Sequence, residues 1–288
     1  MSAVPAEIPV TRRRASVVIP AHDEAKVIGR TLEALLASED VELDIVVVAN
    51  GCSDDTAAVA STYEGIRVID LATPGKARAL NEGDAVAKWF PRIYLDGDIT
   101  LSATALSAMI DVLDTDAPRV ASPDIVFDVD GATWPVRAFY EVFTRTPYAT
   151  ESLTGLGVYG LSRSARERFD RFPELTADDL FVQRLFRPEE RVVADGRFRV
   201  SVPRDLTNLV RVRTRVAKGN SELARHREDE NDDRFESTSS STLKRIGDMV
   251  RSNPRLVPSA GVYVGVSVVS RIRARFTRAR WERDRSTR

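Results

Sequence analysis

The sequence predicts an α/β layered fold with a mainly parallel sheet. Four short apolar runs each end in a polar or glycine-bearing loop, and each loop leads into a helical pattern. The runs are continuous rather than alternating, as in strands buried on both faces. The spacers suit right-handed crossovers, which parallel neighbours require.

The first run, Ser16–Pro20, is stopped by its proline. Ala25–Ala37 follows as a helix, with Val27, Ile28, Leu32, Leu35 and Leu36 at helical spacing. Asp44–Ala49 is the second strand, and Ser53–Tyr63 suits a helix capped by Ser53 or Asp54. Ile66–Leu71 and Lys76–Trp89 form the third strand–helix unit, Arg92–Leu95 and Ser102–Leu113 the fourth. Ligands of such sheets bind beyond the carboxyl ends of the strands. Four loops therefore share one rim: Ala21–Glu24, Asn50–Asp55, Ala72–Lys76 and Asp96–Asp98.

The second half reads differently. Val120–Val129 suggests an extended strand pair, Trp134–Thr144 a helix, Thr154–Gly160 a glycine-rich strand or turn, and Val192–Val202 a strand. Thr176–Asp179 resembles the cap of a helix over Leu180–Phe186. Residues 14–225 read as one domain with halves at 14–115 and 116–225, 226–242 as a flexible acidic, serine-rich loop, and 243–288 as a helical appendage.

With 288 residues, 43% of them apolar, the chain can bury a sizeable core. Lys and Arg number 42 against 43 Asp and Glu, so no global field favours nucleic acid. Cys52 is the single cysteine. A single cysteine predicts no internal disulfide and no cysteine-based zinc site, and Cys52 reads as a small packing residue. No secretory signal and no run of about 18 apolar residues is present, so the expected location is cytoplasmic. The last helix, Leu256 to about Phe276, is apolar and then basic. It reads either as a peripheral contact with the inner face of an anionic membrane, or as a helix packed on the domain or on a second copy in a homodimer.

Asp96-Gly97-Asp98 stands at the end of the fourth strand. Two carboxylates there suit a hard divalent cation that also touches a phosphate. The motifs taken together resemble family 2 glycosyltransferases of the GT-A fold. Ser16-Val-Val-Ile-Pro-Ala-His-Asp-Glu24 is similar to that family's opening strand, with Asp23 where asparagine is usual. Val46-Val-Val-Ala-Asn-Gly-Cys-Ser-Asp-Asp-Thr56 resembles its second strand and acidic loop, with Asn50 where aspartate is usual. Gly75-Lys-Ala-Arg-Ala-Leu-Asn-Glu-Gly83 resembles its Gly-x-x-x-Ala-x-Asn-x-Gly segment. Asp96-Gly-Asp98 falls at its Asp-x-Asp, Gly155-Leu-Gly157 at its acceptor-side glycines, and Ala177-Asp-Asp179 at its Glu-Asp pair.

The resemblance implies transfer of a sugar from a nucleoside-diphosphate sugar to the hydroxyl of a glycan, small-molecule or lipid-linked acceptor, with inversion and with Mn²⁺ or Mg²⁺ as cofactor. It implies Asp98 as a direct metal ligand and Asp96 at the ribose or the metal's water shell, with Gly97 giving the nucleotide close access. Pro20, Ala21, Glu24 and Asn50 would line the base and ribose pocket. Lys76 reads equally as a donor contact and as a solvated helix lysine. Gly155, Leu156 and Gly157 would face the acceptor. Asp179 is the expected general base and Asp178 the runner-up; both also suit a helix cap. The basic stretch Arg211–Asn220 reads as a lid over the diphosphate or as a solvated strand. His226 is a candidate third metal ligand. His22 reads as pocket wall. A nucleotidyltransferase or a dinucleotide oxidoreductase would need a glycine-rich loop that Pro20–Glu24 lacks. A degenerate nucleotide-sugar-binding scaffold would explain the departures at Asp23 and Asn50.

Overall fold

The computed structural model describes residues 13–146, 149, 157–175, 178–228 and 238–276; at 223–228 and 238–241 it describes the backbone alone. Seven strands form one sheet in the order β3-β2-β1-β4-β6-β5-β7. β1 (Arg13–Ala21), β2 (Val41–Asn50), β3 (Ile66–Leu71) and β4 (Arg92–Leu95) run parallel. They alternate with α1 (Ile28–Leu36), α2 (Thr56–Ser61), α3 (Lys76–Val86) and α4 (Ala103–Leu113). The sheet has helices on both faces, as the four strand–helix units predict.

Alternate side chains of each central strand serve opposite faces. Val17, Ile19, Ile45 and Val47 join Ile28, Leu32, Leu106 and Ile110 in one buried layer. On the other face Val18 joins Ala77 and Leu80 of α3, while Val46 and Val48 meet Ala79. Each fully buried aliphatic side chain contributes about 1.5–3 kcal/mol. This two-sided burial is why the runs are continuous.

Beyond β4 the direction changes. β6 (Val158–Leu161) is antiparallel to β4 and to β5 (Val120–Asp128), and β7 (Arg191–Ser201) closes the edge parallel to β5. Because β6 enters where β4 leaves, Gly157 reaches the same rim as Asp96, whose N–H donates to the Gly157 carbonyl at 2.7 Å. The expected strand pair at 120–129 is therefore one strand, β5, with its register shift between Pro123 and Asp124.

Later helices among the described residues include α5 (Trp134–Phe143), α6 (Arg163–Arg166), α7 (Asp178–Arg184), α8 (Leu206–Glu228), α9 (Thr238–Ser252) and α10 (Val257–Phe276). Arg211–Asn220 is neither lid loop nor strand but part of α8. Thr214 is buried there and Leu209 joins the α5 cluster, so α8 is anchored on the domain while Arg211, Arg213 and Arg215 lie half-buried along it. Arg213, for one, lies over Phe143. Of the expected 226–242 loop, 226–228 and 238–242 are helical, and 229–237 lies outside the described residues. The terminal helices are more than an appendage. Tyr263 of α10 stacks on Phe139 of α5 at 5.1 Å, Val266 is buried in the same cluster, and the Ser259 hydroxyl donates to Glu141 Oε2 at 2.7 Å.

One largely enclosed carboxylate fastens the halves together. Asp84 of α3 receives Arg92 Nη1 at 2.7 Å, Arg166 Nη2 at 2.8 Å and the Tyr94 hydroxyl at 2.7 Å. Asn81, one turn earlier, exchanges two hydrogen bonds with the Phe172 backbone, at 3.0 and 2.8 Å. Removing one partner of a buried charge network leaves the others uncompensated. Asp84→Ala is expected to cost about 3–5 kcal/mol of unfolding free energy, measured by urea denaturation.

Candidate active site

The rim loops are tied to one another before any ligand is considered. Asn50, nearly fully buried, donates from Nδ2 to the Ala21 carbonyl at 2.7 Å and accepts the Gly75 N–H at Oδ1, 3.1 Å. It thereby joins the first, second and third loops. Its side chain is occupied by loop backbone more fully than a base-reading residue would be. Asp54 links the same loops through the Ala25 N–H at 3.1 Å and the Thr56 hydroxyl. The Thr31 hydroxyl of α1 donates to the Gly97 carbonyl at 2.9 Å, which fixes the fourth loop.

Gly97 has a steric reason to be glycine. A Cβ there would stand 2.1 Å from Glu24 Oε2, so the buried Glu24 carboxyl lies directly against the Asp96–Asp98 turn. Gly157, at φ +107°, is equally constrained, because a Cβ would come within 2.7 Å of Ile99 and 3.3 Å of Asp96 Oδ2. Gly155 and Leu156 lie outside the described residues.

Lys76 is the hub. Its ammonium sits 2.8 Å from Asp96 Oδ1 and 3.0 Å from Asp178 Oδ1. It belongs to the first turn of α3 and joins a carboxylate of the fourth rim loop to one that opens α7. Those carboxylates hold the charged amine well above its ordinary range against the opposing effect of burial. The reading of Lys76 as a solvated lysine does not hold.

Asp178 and Asp179 open α7 directly rather than standing before it. Asp178 is buried, paired with Lys76, and accepts the Tyr159 hydroxyl at 3.2 Å. Tyr159 stacks on Tyr94 at 5.0 Å, its partner in the β4–β6 register. Burial and the neighbouring Asp178 charge push the Asp179 carboxyl up to about 7, only partly offset by Lys76. The pair is thus divided into one carboxylate neutralised in place and one that gains a proton near neutrality.

Asp98 is exposed and Asp96 half-buried. The pair is an oxygen-only donor set, which suits a hard cation, and Lys76 shows that a positive charge is already held at Asp96. His226 falls near the end of α8, where only the backbone is described. Among the described residues the three-donor group of His, Cys, Asp or Glu lies elsewhere, at His22, Asp23 and Cys52. Sequence reasoning treated Cys52 as packing and His22 as pocket wall. Their meeting depends on the β1–β2 register, which sets the two loops side by side. Tyr159 was missed as well, since its only signal was its place one strand register from Tyr94.

The raised Asp179 carboxyl makes stability depend on pH. A folded-state value of about 7 above an unfolded value near 4 means the native state binds this proton more tightly. Its contribution is full below about pH 4 and is lost as pH rises through about 7. Asp179→Asn is expected to melt above wild type at about pH 8, the gap closing towards about pH 4, in thermal unfolding across that range.

The family model for Glycosyl transferase family 2 matches residues 16–170, more than half of the chain. A 4,4'-diaponeurosporenoate glycosyltransferase of Staphylococcus aureus (strain MRSA252) is 32% identical over 102 residues, covering 33% of this chain and 27% of its own length. The succinoglycan biosynthesis protein ExoO of Rhizobium meliloti (strain 1021) is 31% identical over 140 residues, 46% and 39% of the two chains. The chain thus spans about a quarter to two-fifths of the curated relatives it matches. Among solved structures, the mannosyltransferase PcManGT of Pyrobaculum calidifontis, in complex with GDP-Man and Mn²⁺, superposes with a TM-score of 0.61 at 20% identity, over 90% of this chain and 76% of that one. Glucosyl-3-phosphoglycerate synthase of Mycobacterium tuberculosis, with Mn²⁺ and UDP-glucose, gives 0.51 at 21% identity, over 71% and 77%. These likenesses establish the GT-A fold, and the family match with the four rim motifs establishes the lineage: the chain belongs to glycosyl transferase family 2.

Proposed function

We propose that the chain transfers a sugar from a nucleoside-diphosphate sugar to an acceptor hydroxyl with inversion, assisted by Mn²⁺ or Mg²⁺. The observation that carries this reading is the Asp96–Lys76–Asp178 junction, which brings a donor-side and an acceptor-side carboxylate to one ammonium. Relatives solved with nucleotide sugars and Mn²⁺ support the donor class.

Asp98 and Asp96 would hold the ion, their oxygens being the hard donors such ions prefer. When bound, it would offset the charge that grows on the leaving diphosphate. Pro20, Ala21, Glu24 and Gly97 would form the donor pocket, with Asn50 acting by holding the loops in place. Lys76 sits where it can stabilise the departing phosphate once Asp96 turns to the ion. Gly157, bare of a side chain, lets its strand pass closely against Asp96 and Ile99 and so holds Asp96 in place. Asp179 takes the proton of the attacking hydroxyl, while Asp178, paired with Lys76 and Tyr159, keeps the pair's second charge fixed. A scaffold that only bound nucleotide would have no use for an elevated carboxyl facing the donor side.

The acceptor is proposed to be presented at an anionic membrane surface. Val257, Val264, Val268, Val269, Ile272 and Phe276 of α10 are exposed. Between Thr238 and Phe276 seven basic residues stand against one acid. No described helix is long and apolar enough to cross a membrane, and an apolar stripe edged with arginine suits lying on one.

A thermal-shift panel of nucleoside diphosphates with and without manganese tests the donor reading. Asp98→Ala is expected to abolish the manganese-dependent shift. Asp179→Asn is expected to keep it while lowering turnover by about 10²–10⁴-fold. Wild-type kcat/KM should fall about tenfold per pH unit below about 7, as the base becomes protonated. Equal turnover in Asp179→Asn would remove the base assignment. In flotation assays the protein should follow phosphatidylglycerol vesicles, not phosphatidylcholine ones. Val268→Asp should release it; recovery indifferent to lipid charge would overturn the membrane reading.

A further inference from the structure

We propose that His22, Asp23 and Cys52 form a second metal site, for a zinc-class divalent ion, separate from the Asp96–Asp98 carboxylates. Their ligand atoms all lie within 4.8 Å of one another. A tetrahedral zinc ion with bonds of about 2.0–2.3 Å sets its donors about 3.3–3.8 Å apart. His22 Nε2 and Asp23 Oδ2 already stand at 3.7 Å.

Each donor is oriented from behind, as in built metal sites. His22 Nδ1 lies 2.7 Å from the Asn50 carbonyl. A carbonyl can only accept, so Nδ1 carries the proton, and in the neutral ring Nε2 presents its lone pair towards Asp23. Asp23 Oδ1 accepts the Ser53 N–H at 2.6 Å and its hydroxyl at 3.1 Å, which turns Oδ2 towards His22. Asp23 achieves this at φ +50°, a left-handed conformation that aspartate and asparagine tolerate better than most residues. Cys52 Sγ accepts the Asp23 N–H at 3.4 Å and, as a thiol, donates to the Ala21 carbonyl at 3.7 Å. On metal binding the thiol proton passes to solvent, and the thiolate keeps the Asp23 N–H as its hydrogen-bond donor.

The donor chemistry separates this site from the other. Thiolate and imidazole favour zinc-class ions, whereas an aspartate-only pair favours magnesium or manganese. An ion seated here would staple the first rim loop to the second, and three protein donors would leave a fourth position open to water or an incoming group.

The test uses the full chain under reducing conditions, with cobalt(II) as a spectroscopic probe. Wild type should show a sulfur-to-cobalt charge-transfer band that saturates at one ion per chain. Zinc should abolish the band and manganese should not. Cys52→Ala should lose the band. Asp23→Asn, chosen because asparagine keeps the left-handed backbone, should weaken affinity about 10–100-fold. Asp98→Ala should keep the band. Zinc should raise the melting temperature of wild type but not of Cys52→Ala, whose fold is checked by circular dichroism. A missing band in wild type, a band that survives Cys52→Ala, or one lost in Asp98→Ala would overturn the proposal.

Discussion

The phase of helix α3 governs the site, and the Asp84 carboxylate fixes that phase. With Arg92, Arg166 and Tyr94 all converging on it, Asp84 can neither rotate nor slide. Two turns earlier the same helix presents Lys76 to Asp96 and Asp178. Tyr94 carries the constraint sideways, stacking on Tyr159, whose hydroxyl reaches Asp178. A chain of contacts thus runs from Asp84 through the two tyrosines to Asp178 and back to Lys76 at the start of α3. One residue inserted between positions 76 and 84 would turn Lys76 by about 100° relative to Asp84 and break both ends at once.

Charge is the second constraint. Asp96, Asp98, Asp178 and Asp179 crowd one rim, and Lys76 is the cation placed among them. One ammonium cannot neutralise four carboxylates. Part of the excess is relieved by the proton that Asp179 holds near neutrality. The rest creates a field that welcomes a divalent ion and resists a bare diphosphate.

Much of this was legible in the residues. The continuous apolar runs at Ser16–Pro20 and Asp44–Ala49 give buried parallel strands because nothing else buries both faces of a short segment. The four rim loops follow from strand direction alone. Less legible was anything set by strand order. That β6 runs against β4, so that Tyr159 meets Tyr94, depends on pairing between distant segments. Arg211–Asn220 misled because a run of arginines resembles solvated loop, whereas the buried Leu209 just before it and the buried Thr214 within it anchor a long helix. The surroundings of Cys52 were hidden for the opposite reason. It was judged alone in the chain, while its neighbours His22 and Asp23 arrive from another strand.

The reversed strand β6 has a consequence for how such a protein can diversify. The four rim loops hang from the carboxyl ends of parallel strands, whereas Gly157 reaches the rim at a strand's amino end. An insertion ahead of Gly157 falls before the Leu95–Val158 pairing and leaves that register untouched. The two segments meet at Asp96 yet are anchored independently. Insertion or deletion ahead of Gly157 can therefore reshape one side of the rim while the other stays fixed in register.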